Sequence, residues 1–239
     1  KVGPTRLYVG IARAIAASGF PVLRFDYFGL GESQPLTADA AQSGRLPSDP
    51  GGDVDIAIDW VCREHPGPGV ILVGLCSGAH DAHRVAVREP RVVGVCQMDG
   101  YGYRTGRYWV HYAVERVFDA RRWKNLIQRK MPRARPVDER DPIWGGVDFF
   151  TMPAKAQLVD ELRQCLARKQ KLLYVFSGQT SGYYNHEQQF ARSIPEVNFD
   201  GLLSEYFLPL ADHTFSRATE RRALTREIAD WLLREFRPV

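Results

Sequence analysis

An alternation of short apolar segments with amphipathic helical segments most strongly constrains the fold of this chain. The helical patterns lie between and around the apolar segments, which are rich in β-branched and aromatic residues. The segments typical of buried strands are 20–27, 69–75, 91–99, 171–178 and 202–210. Such alternation is typical of a parallel sheet covered by helices on both faces. The sequence therefore predicts an α/β fold with a doubly wound, mostly parallel sheet.

The alternation is interrupted once, between residues 101 and 168, where the sequence is mostly helical, aromatic and basic. Prolines break this stretch repeatedly, and a proline inside a helical pattern ends or kinks the helix. We therefore predict one core domain formed by residues 1–100 and 169–239, with a helical cap inserted at residues 101–168.

Composition favours a globular protein: 44% of the 239 residues are apolar and 25% are charged. No apolar stretch approaches the ~18 residues of a membrane span, and the start "KVGPTRLYVG" does not resemble a signal peptide. We expect a cytoplasmic protein without a membrane partner. The four cysteines show no CxxC spacing, so we expect free thiols and neither a metal nor another cofactor.

The formal net charge is only +4, but the segment 101–136 is strongly basic, with Glu115 and Asp119 as its only acidic residues. Such a block can attract an acidic partner or ligand through its field, or it can be a solvated helical face. No recognised nucleic-acid motif accompanies the arginines, so nothing here favours nucleic-acid binding.

The stretch "LVGLCSGAH", residues 72–80, turns from a strand pattern directly into a helix. A sharp turn of this kind holds its corner residue above the carboxyl edge of the sheet, where open α/β folds bind ligands. The strained corner needs small residues two positions away on each side. Centred on Cys76, these are Gly74 and Gly78, whereas centring on Ser77 would place a leucine there. The spacing favours Cys76 as the displayed residue.

This position would also activate the side chain. The partial positive charge at a helix N-terminus favours the thiolate of Cys76, and the backbone N–H of Ser77 would point to where a tetrahedral oxyanion forms. The alternative is a Gly-rich turn that merely contains a buried cysteine.

Three motifs, in this order, resemble the α/β-hydrolase superfamily along nearly the whole chain. They are "FPVLRFDYFGLGES", the nucleophile elbow "VGLCSGA" with Cys in place of Ser, and "LPLADHTFS". The Cys elbow resembles dienelactone hydrolases and thioesterase domains, and "DHTFS" resembles serine-aminopeptidase-like and exosortase-associated hydrolases. The superfamily's first strands and oxyanion loop precede its first helix, where this sequence begins, so we expect them to be absent from this chain.

The resemblance implies that His213 is the catalytic base, with His186 as its competitor. The acid usually ends an "SGxD" segment, but here "FSGQTSGYYNHE" has Thr180 at that position. Asp99, which ends the strand after the elbow helix, is our preferred acid, and Glu187 is the alternative.

The expected function is hydrolysis of an ester or thioester through Cys76, His213 and Asp99 and an acyl-enzyme, with acyl transfer left open. The substrate would be a small acyl compound, and the basic cap would suit an anionic or carrier-protein-bound one. The alternative is a non-catalytic binding module that uses the hydrolase fold as a scaffold.

Overall fold

The structure is a computed structural model that describes residues 3–33, 50–117 and 152–238. The α-helices in these ranges are α1 (Leu7–Ala17), α2 (Pro50–Glu64), α3 (Ser77–Arg88), α4 (Gly106–Val117), α5 (Lys155–Ala167), α6 (Gln189–Ser193) and α7 (Ala218–Glu235). Helix α6 has only five residues. The strands are β1 (Val70–Leu75), β2 (Val92–Met98), β3 (Lys171–Ser177) and β4 (Leu203–Leu208).

The four strands form one parallel sheet in the order β1-β2-β3-β4. Met98, the last residue of β2, pairs with Leu75 of β1 on one side and with Val175 of β3 on the other. Ser177 of β3 pairs with Leu208 of β4. The carboxyl ends of all four strands therefore meet at one edge of the sheet, so the loops that follow them lie close together.

Each face of the sheet is covered by its own hydrophobic cluster. Helices α1 and α7 pack on one face with residues such as Ile11 and Ile228, and helices α2, α3, α5 and α6 pack on the other. Side chains alternate between faces along a strand. Accordingly, Leu172 belongs to one cluster and Leu173 to the other. The predicted α/β fold with a parallel sheet covered on both faces is confirmed.

The prediction of a buried strand at residues 20–27 is wrong. This segment forms no strand. The exposed fractions of Val22, Leu23 and Phe25 are 39%, 41% and 40%. A cavity of about 770 Å³ lies between the segment and β1. An apolar run becomes a strand only where a neighbouring strand takes up its backbone hydrogen bonds, and the described residues place no such strand beside it.

The predicted cap is only partly described, because residues 118–151, including most of the basic block, lie outside the described residues. Helix α5, at the end of the predicted cap, contributes Leu158 and Leu162 to the core cluster on the sheet. The division into core and cap stays a prediction.

Every helix in the described ranges is too short or too polar to cross a bilayer. The same ranges hold no group of three or more His, Cys, Asp or Glu side chains that could bind a metal ion.

Candidate active site

Cys76 lies at the corner between β1 and α3 in a strained backbone conformation. Its φ of 56° and ψ of −118° are rare for any residue with a side chain. Strain of this kind costs roughly 1–3 kcal/mol and persists only where the surrounding structure imposes it. Here the N–H of Cys76 donates to Met98 O at 2.9 Å, and α3 starts at the next residue. The corner is the strand-to-helix elbow that the sequence pattern predicts.

The two glycines that flank the elbow have different roles. A Cβ added to Gly74 would lie 2.1 Å from the backbone oxygen of Gly78. A Cβ added to Gly78 would find its nearest neighbour, the hydroxyl oxygen of Tyr8, at 3.8 Å, an ordinary contact. Only Gly74 is therefore required by close approach of the backbone, although the sequence argument treated both positions alike.

We expect Gly74→Ala to destabilise the fold by about 1–3 kcal/mol, because the clash is with backbone that cannot rotate away. Gly78→Ala is the matched control. It lies in the first turn of α3, and replacing a helical glycine by alanine stabilises by up to about 1 kcal/mol. Urea unfolding of both variants checks this. Equal stability of the two would contradict the asymmetry.

Asp99 follows β2 directly and is fully buried, with three hydrogen bonds to its carboxylate. Its Oδ1 accepts the backbone N–H of Ser177 at 2.6 Å, and its Oδ2 accepts the Ser177 hydroxyl at 2.7 Å. The same Oδ2 lies 2.7 Å from His213 Nδ1. A buried carboxylate needs such partners, and these fix its orientation toward His213.

His213 lies in the loop between β4 and α7, and two contacts hold that loop. The backbone N–H of His213 donates to Gln179 Oε1 at 2.8 Å. The neighbouring Asp212 turns away and accepts the backbone N–H groups of Thr214 and Ser216. The side chain of His213 remains 35% exposed, so the imidazole is ordered by Asp99 and yet accessible to a ligand.

The pKa of His213 is raised to about 10. The largest cause is the hydrogen bond with Asp99, followed by a side-chain hydrogen bond with Cys76, and together they outweigh the opposing effect of burial. Both partners favour the imidazolium, and Nδ1 is the ring nitrogen that is directed to Asp99. The structure therefore brings Cys76, His213 and Asp99 close together at the carboxyl edge of the sheet.

The competing residues lie elsewhere. The ring of His186 contacts Thr105 Oγ1 at 3.3 Å and the backbone oxygen of Glu187 at 2.9 Å, and it stacks on His111. Glu187 is exposed, and in the part of the chain that the structure describes no hydrogen bond joins its carboxylate to His213. The assignment of catalytic roles stays a prediction, but the geometry favours Asp99 over Glu187 and His213 over His186.

Sequence reasoning missed Ser177 and Gln179, which position Asp99 and His213. Both lie in "FSGQTSGYYNHE", a segment considered only for the missing acid at Thr180 and for the candidates His186 and Glu187 at its end. A hydroxyl and an amide at the carboxyl end of a strand next to Asp99 were the available signal, because adjacent parallel strands end at the same edge. Thr180 is buried, and its hydroxyl donates to Ser177 O at 2.6 Å.

Ser77 is the first residue of α3, so its backbone N–H has no partner within the helix. The first hydrogen bonds of α3 are donated by Ala79 and His80 to Cys76 O, at 2.9 and 3.2 Å. Within the described residues no hydrogen bond uses the Ser77 N–H, and a donor of this kind beside the displayed thiol, at a helix N-terminus, suits a developing negative charge.

Comparison with known proteins supports the fold. No family model and no curated protein sequence matches the chain. Among solved structures, a carboxylesterase of the thaumarchaeon Nitrososphaera gargenis is similar with a TM-score of 0.53 and 14% identity over 98% of this chain and 88% of the other. An esterase of Pyrococcus furiosus is similar with a TM-score of 0.53 and 15% identity, over 95% of this chain and 74% of the esterase chain. A protein of unknown function from Agrobacterium tumefaciens, described as a candidate α/β hydrolase, is also similar. Its TM-score is 0.53 and its identity 15%, over 96% of this chain and 77% of the other.

The chain therefore has the α/β-hydrolase fold. At these identities the likeness concerns the fold alone, and what the chain does must be argued from its own site.

Proposed function

We propose that this protein is an acyl hydrolase that cleaves an ester or thioester, with Cys76 as nucleophile, His213 as base and acid, and Asp99 as the carboxylate that orients His213. The observation that carries the proposal is the 2.7 Å distance between Asp99 Oδ2 and His213 Nδ1, in a site where Cys76 is close enough to His213 to help raise the pKa of the imidazole. A nucleophile, a base within reach and a third group that orients the base are the parts of covalent catalysis.

The reaction starts with attack of the Cys76 thiolate on the substrate carbonyl carbon. The carbonyl π electrons move to oxygen, and the Ser77 N–H stabilises the oxyanion. When the intermediate collapses, the imidazolium of His213 gives its proton to the departing alkoxide or thiolate, which leaves an S-acyl enzyme. Neutral His213 then takes a proton from water as the water attacks the acyl carbon, and the acid leaves as Cys76 is released.

The leaving group decides the substrate class. Alkoxides and thiolates depart from a thiolate-derived tetrahedral intermediate more easily than amines do, so esters and thioesters suit Cys76 better than amides. The esterases among the structural neighbours are consistent with this choice. Acyl transfer differs only in the second step, where another nucleophile replaces water.

The test is to trap the acyl-enzyme. We expect an activated ester or a short-chain thioester, quenched in acid within the first turnover, to leave one acyl group on the peptide that contains Cys76, as measured by mass spectrometry. Iodoacetamide should label the same thiol and block acylation. Cys62, a half-buried thiol in α2, provides the control, since Cys62→Ala should acylate normally. Acylation elsewhere, or none, would contradict the proposal.

The alternative of a non-catalytic binding module was motivated by the missing acid of the "SGxD" segment. Asp99 lies at hydrogen-bonding distance from His213 and can replace the missing acid, so this reason for the alternative is weaker. A binding module would show Cys76 alkylation at the rate of an ordinary thiol and no acyl adduct in the same experiment.

A further inference from the structure

We infer that the hydroxyl of Tyr8 is the second oxyanion donor of this site and is therefore a catalytic residue. The inference rests on the proposed function, because an oxyanion forms only if Cys76 attacks a carbonyl. It assigns a role to a side chain in the first turn of α1, about 70 residues before the elbow in sequence. The sequence motifs do not include it.

Tyr8 lies at the edge of β1 that faces away from β2. Backbone N–H groups alternate between the two edges of a strand. The N–H of Cys76 donates toward β2, to Met98 O, so the N–H of Leu75 points to the opposite edge. That N–H donates to the Tyr8 hydroxyl oxygen at 2.9 Å. The phenol therefore lies at the edge of β1 that β2 leaves open.

The base lies on the other side of the elbow from Tyr8. His213 is hydrogen-bonded to Asp99, at the end of β2, so it approaches Cys76 from the β2 side. In acyl transfer the oxyanion must develop away from the group that protonates the leaving group. Tyr8 is on the side where that oxygen would point.

The Tyr8 hydroxyl has a proton to donate. Its oxygen already accepts from Leu75, and within the three described ranges this is its one hydrogen bond, so its own proton is available to a ligand. By contrast, the hydroxyl of Tyr183, also near Cys76, donates to Gly100 O at 3.2 Å. Burial raises the pKa of Tyr8 to about 12, so the phenol keeps its proton at neutral pH.

The phenol also lies close to the elbow. The Tyr8 hydroxyl oxygen is 3.8 Å from the ideal Cβ position of Gly78, in the first turn of α3 and next to Ser77. The phenol donates a hydrogen bond and transfers no proton, so the atom balance of the reaction is unchanged.

The test compares two reactions of the same thiol. Acylation by an activated ester passes through an oxyanion, whereas alkylation by iodoacetamide does not. We expect Tyr8→Phe to slow the single-turnover acylation of Cys76 by about 10²- to 10³-fold, as loss of one oxyanion donor does elsewhere, and to leave the alkylation rate unchanged. Tyr206→Phe, which removes a hydroxyl from the far edge strand, is the matched control and should change neither rate.

The other outcomes are distinct. Unchanged acylation in Tyr8→Phe overturns the inference, and so does equal slowing of both reactions, which would mean that Tyr8 only supports the elbow through Leu75. If wild-type Cys76 alkylates but never acylates, the proposed function is wrong, and the inference falls with it. If Tyr8→Phe does not fold, 3,5-difluorotyrosine at position 8 should speed acylation alone, because its hydroxyl is the stronger donor. No change with that analogue overturns the inference.

Discussion

Replacing Cys76 with alanine is expected to lower the turnover of an ester or thioester by roughly 10⁴- to 10⁶-fold, the loss seen when a covalent nucleophile is removed from a nucleophile–histidine pair. The physical reason is that Cys76 occupies the strained corner and lies close enough to His213 to help raise the pKa of the imidazole. Steady-state hydrolysis of an activated ester measures the loss, and mass spectrometry should show no acyl adduct.

The matched variants are Cys76→Ser and Cys62→Ala. Serine keeps the geometry but ionises much less readily than cysteine, so Cys76→Ser should retain measurable but strongly reduced turnover through base activation by His213. Cys62→Ala removes a thiol from α2 and should leave turnover unchanged. Full turnover by Cys76→Ala would show that the elbow thiol is not the nucleophile.

Asp99→Asn is expected to lower turnover by about 10⁴-fold, as loss of the orienting carboxylate does in a nucleophile–histidine–carboxylate triad. The amide cannot match the three hydrogen bonds that the carboxylate accepts, two from Ser177 and one from His213. Ser177→Ala, which removes one of these donors and keeps the charge, should have a much smaller effect. Urea unfolding of both variants separates lost chemistry from lost stability.

The pH dependence gives a second measurement for the same variant. The pKa of His213 is raised to about 10, so its proton is bound below that pH and lost above it. Acylation needs that proton for the leaving group, so its rate should fall as pH rises through about 10, while alkylation of Cys76 should not. Asp99 is the largest cause of the raised pKa, so Asp99→Asn should move the alkaline fall to lower pH. If the alkaline fall in the acylation rate stays at the same pH in Asp99→Asn, Asp99 does not raise the pKa of His213.

The site is assembled from the loops that follow neighbouring strands. Cys76 follows β1, Asp99 follows β2, Ser177 ends β3 and His213 follows β4. Because the strands are parallel and in register, four residues far apart in sequence meet at one edge. Substrate specificity would then depend on the segments above that edge, while the sheet holds the reacting groups.

The elbow could be predicted from sequence because it depends on local sterics. The backbone at Cys76 must turn with a positive φ, and the Cβ distance of 2.1 Å at Gly74 shows why a glycine is needed two residues earlier. Asp99 could be predicted because the end of a buried strand is visible as the end of an apolar run. Both follow from properties of short stretches of chain.

Other features depended on partners that a local pattern does not contain. Residues 20–27 have the composition of a strand, yet strand pairing needs a neighbour, and the described residues leave a cavity there. The sequence analysis preferred Asp99 as the acid but kept Glu187 as an alternative, and the distance to His213 favours Asp99.

By itself, the sequence determined the alternating α/β architecture, the Cys76 elbow and the short list of candidate bases and acids, because these follow from periodicity and from backbone sterics within a few residues. Tertiary structure alone decided which members of that list meet, which side of β1 carries Tyr8, and how Ser177 and Gln179 hold Asp99 and His213. The reason is that hydrogen bonds between residues 34 to 114 positions apart depend on strand order and register.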